Sequence, residues 1–240
     1  MTESGLAGVN IVFILVILFF VVSMIVGYAR GFIKTFFATF SLAIAVFVAV
    51  QGSPYVGKIL QRTPIYTGIA DQIEAGLNVS GAEDISKVSQ QIDVINQYDI
   101  PDALKDALIE NNNSQVYEAL GITRFTEYVA SYLTCLILNV ISFLVLFVIV
   151  LIILKVIAAS LDLISKLPVL HGMNKIGGLI FGLVHGLVNL WIICIILTIF
   201  ASTSFGQFVF RQINENPFLG MIYNNNYLLI ALSNMGRLLF

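Results

Sequence analysis

The sequence predicts an all-α polytopic membrane protein with four transmembrane helices and a helical insertion outside the bilayer. Composition is the first reason. Of the 240 residues, 58% are hydrophobic and only 11% are charged. A soluble domain carries about 25% charged residues, and a chain this apolar would expose large greasy patches to water. Mean hydropathy is +0.94. The second reason is four long uncharged windows: Ser4 to Ala29, Thr35 to Gly57, Tyr128 to Leu154 and Ile176 to Phe210. Each exceeds the roughly 18–20 residues that cross a hydrocarbon core as helix. They are too continuously apolar for barrel strands, which alternate. The third reason is the placement of the basic residues, which gather in the short loops.

The expected spans lie near residues 9–28, 35–53, 129–154 and 177–201. No Lys or Arg precedes the first window and no small-residue cleavage site follows it, so it reads as a retained helix rather than a signal peptide. Helices one and two are joined by Gly27-Tyr28-Ala29-Arg30-Gly31-Phe32. That is a tight hairpin, with Gly27 and Gly31 free to take positive φ and Arg30 at its tip. Residues 1–57 therefore form a transmembrane hairpin.

Residues 58–127 form an insertion with five basic and eleven acidic residues. Ile69, Ile73 and Leu77 make one helical stripe, and Ile85, Val88, Ile92 and Ile95 a second, with Ser80 as a candidate N-cap. Pro101 opens a third short helix carrying Leu104 and Leu108. Such short helices must pack on one another or lie on the membrane. Helices three and four fill 128–204. The loop 155–175 between them carries Val156, Ala159 and Leu163 on one interfacial face. The tail 205–240 is apolar but interrupted by Asn214, Pro217 and Asn224-Asn225-Asn226, so Val209, Phe218, Ile222, Leu228 and Leu229 predict short capping helices and no fifth span.

Arg30 and Lys34 lie in one short loop, and Lys155, Lys166 and Lys175 in the other. The positive-inside rule makes both cytoplasmic and puts the insertion and both termini outside. The net charge of −2 provides no basic field for nucleic acid. Cys135 and Cys194 sit inside apolar runs without metal or redox spacing and read as small buried hydrophobes.

Two constellations stand out. Gly178, Gly182 and Gly186 recur at four-residue spacing on helix four, a ridge that admits a second helix at close range. Ser41, Ala45 and Ala49 offer a matching ridge on helix two, and the two ridges are expected to meet. The second constellation is polar and deep: His185 and Asn189 share a face of helix four, and Asn139 lies near the middle of helix three. Polar groups at this depth face a bundle interior or a wet cavity, where they fix helix register or carry protons. Asp162, Ser165 and His171 superficially supply a hydrolytic set, but no nucleophile elbow or oxyanion turn accompanies them. No phosphate loop, zinc motif or calcium loop is present. The expectation is a protein without catalytic residues, metal or cofactor.

The hairpin Gly27-Tyr28-Ala29-Arg30-Gly31-Phe32-Ile33-Lys34 and the stretch from Met173-Asn174-Lys175 through Gly182-Leu183-Val184-His185-Gly186 resemble the colicin V production protein family. The Asn216-Pro217-Phe218-Leu219 tail is similar to the ending of its Gram-positive branch. The resemblance covers the membrane part; the shortest members lack the insertion. Asn10 stands where many members carry an acid, Asn174-Lys175 where many carry Asp-Arg, and His185 where many carry Arg or Lys. The resemblance implies a multi-pass protein of the bacterial cytoplasmic membrane. Its expected role is an accessory or scaffold in toxin production or secretion and envelope homeostasis. Its expected partners are the bilayer, a second copy of the chain and a secretion or envelope membrane protein. The competing expectation is a homo-oligomeric channel or transporter for an ion or small solute.

Overall fold

A computed structural model describes residues 10–77, 85, 87–98, 100–160, 171–201 and 203–233. Among them the chain forms helices and no strands. Four helices are long and apolar enough to cross a membrane: α1 (Ile11–Arg30), α2 (Phe32–Leu60), α7 (Phe125–Ser160) and α8 (His171–Thr198). Between α2 and α7 lie α3 (Pro64–Leu77), α4 (Val88–Gln97), α5 (Asp102–Glu110) and α6 (Ser114–Leu120). The tail forms α9 (Ser204–Asn214), α10 (Pro217–Asn224) and α11 (Tyr227–Ser233).

Each boundary has a local cause. Asn10 caps α1 by accepting from the Phe13 amide at 2.8 Å. The hairpin is tighter than the six residues expected: Gly31 alone, at φ +82°, separates α1 from α2. Pro54 lies inside α2 without ending it. Asn113 caps α6 and Gly121, at φ +68°, closes it in the left-handed conformation. Thr203 caps α9 through the Gly206 amide at 3.1 Å. In the tail, two asparagines are the helix N-caps. Asn216 accepts from the Phe218 and Leu219 amides, with Pro217 at the first helical position, and Asn226 accepts from the Leu228 and Leu229 amides.

In space the membrane helices run α1, α8, α2, α7. α1 packs on α8, α8 on α2, and α2 on α7, whereas α1 scarcely touches α2, and α7 scarcely touches α8. Helices joined by one residue thus diverge, and α8 fills the space between them.

The expected third span, 129–154, lies inside α7, whose apolar stretch runs from Phe125 to Ile157. At ~1.5 Å per residue, the 36-residue α7 is about 54 Å long, against a hydrocarbon core of about 30 Å. Its two halves have different surroundings. Tyr128, Leu136 and Asn139 are at most 2% exposed, whereas Val148, Ile152 and Val156 are 52%, 57% and 61% exposed. The first half is the spine of the domain at one end of the molecule, wrapped by α3, α6 and α11; the second half is exposed on the outside of the molecule. Hydropathy does not separate the two, because a domain core and a lipid face are equally apolar. The residues 156–160 expected to open a separate interfacial helix continue α7. Leu163, Asp162, Ser165 and Lys166 lie outside the described residues, as does the side chain of His171.

Within the insertion, Ile73, Leu104 and Leu108 are buried as their spacing predicts. In water-exposed domains each such side chain contributes roughly 1.5–3 kcal/mol. The second stripe is displaced: α4 starts at Val88 after Lys87, Val88 is exposed, and Gln91 and Ile95 form the buried face. Ser80 lies outside the described residues. α6 had no sequence expectation. Tyr128 of α7 donates to the Leu108 carbonyl of α5 at 2.6 Å, fixing the spine to the domain.

Candidate functional site

A cavity of about 440 Å³ opens among α1, α2, α7 and α8. Its polar lining is Ser23 and Arg30 of α1, Thr35 of α2, and His185 and Asn189 of α8; Phe147 of α7 contributes to its apolar wall. The diverging α1 and α2 create this space, and α8 closes one side of it.

The closure depends on glycine. A Cβ placed on Gly182 would stand 2.5 Å from the Ser23 carbonyl oxygen and 3.0 Å from the Gly27 Cα. A Cβ on Gly178 would collide with the Gly27 carbonyl and lie 2.8 Å from the Gly31 carbonyl carbon. Gly186 is crowded by Ser23, at 2.8 Å from its Cβ. The glycine ridge therefore closes on α1, not on the Ser41-Ala45-Ala49 ridge of α2. The reason is the counterpart on α1: Gly27 and Ser23 also expose backbone, which lets two main chains touch. Ala45 and Ala49 are fully buried in α2, between its neighbours α7 and α8, and Ser41 is half-buried. Gly177, beside the ridge, contacts Phe32 of α2 instead.

The polar groups of the cavity are mostly satisfied within their own helices. Ser23 donates to the Phe19 carbonyl at 2.8 Å, Thr35 to the Gly31 carbonyl at 2.8 Å, and Asn189 to the His185 carbonyl at 2.9 Å. His185 is held across helices by Thr39 of α2, with Nδ1 and Oγ1 3.3 Å apart. The Thr39 hydroxyl also donates to the Thr35 carbonyl at 2.8 Å, so Thr39 links its own helix to His185. Nε2 has no hydrogen-bond partner among the described residues.

Asn139 does not join this cluster. It lies in the buried half of α7 and donates to the Leu232 carbonyl of α11 at 2.8 Å. Its Oδ1 is buried without a partner among the described residues. Helical depth alone suggested proximity; the offset of α7 along its axis separates the two.

The remaining motif positions form two latches. At the hairpin end, the Asn174 Oδ1 accepts from the Ile33 amide at 3.2 Å, capping α2 from α8, and its amide group fills the space where a Gly31 side chain would stand. Lys175 lies over the Tyr28 ring at 5.5 Å. At the domain end, Asn10 donates to the Gln212 carbonyl at 2.6 Å, while Gln212 accepts from the Val12 amide at 3.0 Å. This reciprocal clasp ties α9 to the start of α1. Sequence reading missed Gln212, Thr39, Asn224, which caps α5 through the Ala103 amide at 3.3 Å, and Asn226, which donates to the Trp191 carbonyl at 3.0 Å. Their pairs are 35 to 202 residues apart, beyond any local signal.

The order of spans, the hairpin end and the clasped tail can now be set beside known proteins. Residues 119–225 match the family model of the colicin V production protein. The match runs from the end of α6 through α7, α8, α9 and α10. It therefore contains the glycine ridge, the Asn216-capped α10 and the spine of the domain, and it bears out the resemblance drawn from the sequence. The α1–α2 hairpin precedes the matched segment. No curated protein and no solved structure matches the chain.

Proposed function

We propose that this membrane protein of the colicin V production type is a non-enzymatic accessory or scaffold for toxin production or secretion and for envelope maintenance. The observation that carries this reading is how the deep polar groups are spent. Asn189, Ser23 and Thr35 bond back to their own helices, while Asn139 ties α7 to α11 and His185 ties α8 to α2. The domain-end helices complement this, forming a platform fixed to α7 by Tyr128 and to the tail by Asn224. A platform of this kind suits a protein that holds others.

Arg30, Lys34, Lys155 and Lys175 lie at or near the hairpin-end termini of the four long helices. By the positive-inside rule, this gathering of basic residues supports a cytoplasmic hairpin end in a bacterial cell, with the domain end and both termini outside. In cells producing a colicin V-type peptide, His185→Ala is expected to leave secretion close to wild type. Loss of secretion by a folded, inserted His185→Ala protein would overturn the scaffold reading.

One observation favours a second reading, a homo-oligomeric channel or transporter: the cavity lined by Arg30, Thr35, His185 and Asn189. It predicts conductance in reconstituted vesicles that depends on pH and disappears in His185→Ala. A silent reconstituted oligomer would count against it.

A further inference from the structure

A second cavity, of about 340 Å³, lies at the opposite end of α1 from Arg30. Its walls are the first half of α1, the last turns of α8, and the tail helices α9 and α10. The volume falls within the roughly 300–1,000 Å³ of ligand pockets. The lining is almost wholly apolar. Val16, Cys194, Val209, Ile213 and Leu219 form a buried floor. The polar atom nearest to being available, the Tyr223 hydroxyl, is already paired with Thr198 Oγ1 at 3.0 Å. A water needs two to four polar partners, and this site supplies none.

The cavity opens sideways. Ile11, Leu15, Ile193, Phe205 and Phe208 line it and are also exposed on the outside of the molecule. Ile11 to Phe19 belong to the membrane span of α1, so the opening faces hydrocarbon. The roof, α9, turns Phe205, Phe208, Val209 and Ile213 to the cavity side and carries Gln207, Arg211 and Asn214 elsewhere, the pattern of a helix lying at the boundary between headgroups and acyl chains. The clasp between Asn10 and Gln212 holds this roof against α1, so the space is preformed.

We propose that this cavity binds one acyl chain of a bilayer phospholipid, entering laterally under α9 with its headgroup left at the interface. The occupant follows from the site: an apolar slot of this size, without polar handles, opening into the hydrocarbon at headgroup depth. The chain holds α9 and α10 to the membrane helices as well as filling the space. This inference is independent of the proposed role.

The test uses the full-length protein in phosphatidylglycerol–phosphatidylethanolamine vesicles containing a phosphatidylglycerol with a diazirine near the end of one tail. After illumination, labelled peptides are mapped by mass spectrometry. Labelling is expected to concentrate on 190–197 and 205–213, above the level on the lipid-facing 145–157 of α7. Val209→Trp and Val16→Trp, which fill the cavity from different walls, are each expected to reduce cavity labelling to the α7 level and leave α7 labelling unchanged. Either variant suffices if the other does not fold. Cavity labelling no stronger than that of α7, or unchanged in a folded filled variant, overturns the proposal.

Discussion

Replacing Gly182 by alanine adds one methyl group at a place where two backbones meet. In the wild-type geometry that carbon would stand 2.5 Å from the Ser23 carbonyl oxygen, 3.0 Å from the Gly27 Cα and 3.3 Å from the Met24 Cα. A carbon and a carbonyl oxygen come no closer than about 3.3 Å in comfortable contact. α1 and α8 must then separate by nearly an ångström at their crossing. All three obstacles are main-chain atoms, so no side-chain rotation relieves them. Overpacking of this kind costs about 1–3 kcal/mol. The loss is larger than that figure suggests locally, because separation also withdraws Gly178 from Gly27. Gly172→Ala is the control: it is also on α8, and nothing lies within 4 Å of its Cβ. There, alanine should be neutral or stabilising by up to about 1 kcal/mol. The assay is thermal unfolding in detergent, followed by size-exclusion chromatography and tryptophan fluorescence. Gly182→Ala should unfold well below wild type and Gly182→Leu should fail to assemble. A Gly182→Ala protein as stable as Gly172→Ala would refute the claim that these backbones touch.

Further expectations concern the latches and the domain. Asn174→Ala leaves the Ile33 amide uncapped and should cost about 0.5–2 kcal/mol, read as a lower melting temperature; an unchanged value would remove the latch. Gln212→Ala should free α9 and raise the protease sensitivity of the tail without detaching α10, whose cap is Asn216. Tyr128→Phe leaves the Leu108 carbonyl buried without its donor, which costs about 1–3 kcal/mol, and should loosen α5 in hydrogen exchange. Burial pushes the Tyr117 phenol up to about 12, and raises Tyr98 and Tyr66 by the same cause. The folded domain therefore keeps protons that the unfolded chain loses above pH 10. Its stability should fall as pH rises from about 10 to 12, and ultraviolet titration should show less of this fall in Tyr117→Phe.

Much of the fold was legible because hydropathy and charge act locally. A run of twenty uncharged residues must become helix in lipid, and basic residues mark one side whatever the packing. The glycine spacing announced a close crossing, yet nothing local says which helix arrives, and the partner was α1 rather than α2. The same limit explains Asn139. Its position along α7 is readable, but α7, at about 54 Å, is much longer than a hydrocarbon core of about 30 Å, so equal distance from a helix end does not mean equal height. The tail shows the opposite case: Asn216 and Asn226 interrupt the hydropathy where they cap helices, and their spacing from Pro217 and Leu228 was a usable signal. The pairings of Asn10 with Gln212 and of Asn224 with Ala103 join residues more than a hundred positions apart and had no local trace.

The scaffold reading is tested most directly by gentle extraction from native membranes, mass determination and identification of whatever remains bound. The account predicts a foreign membrane protein in fixed stoichiometry, retained in His185→Ala. A homo-oligomer with no foreign partner, showing pH-dependent conductance that His185→Ala abolishes, would contradict it.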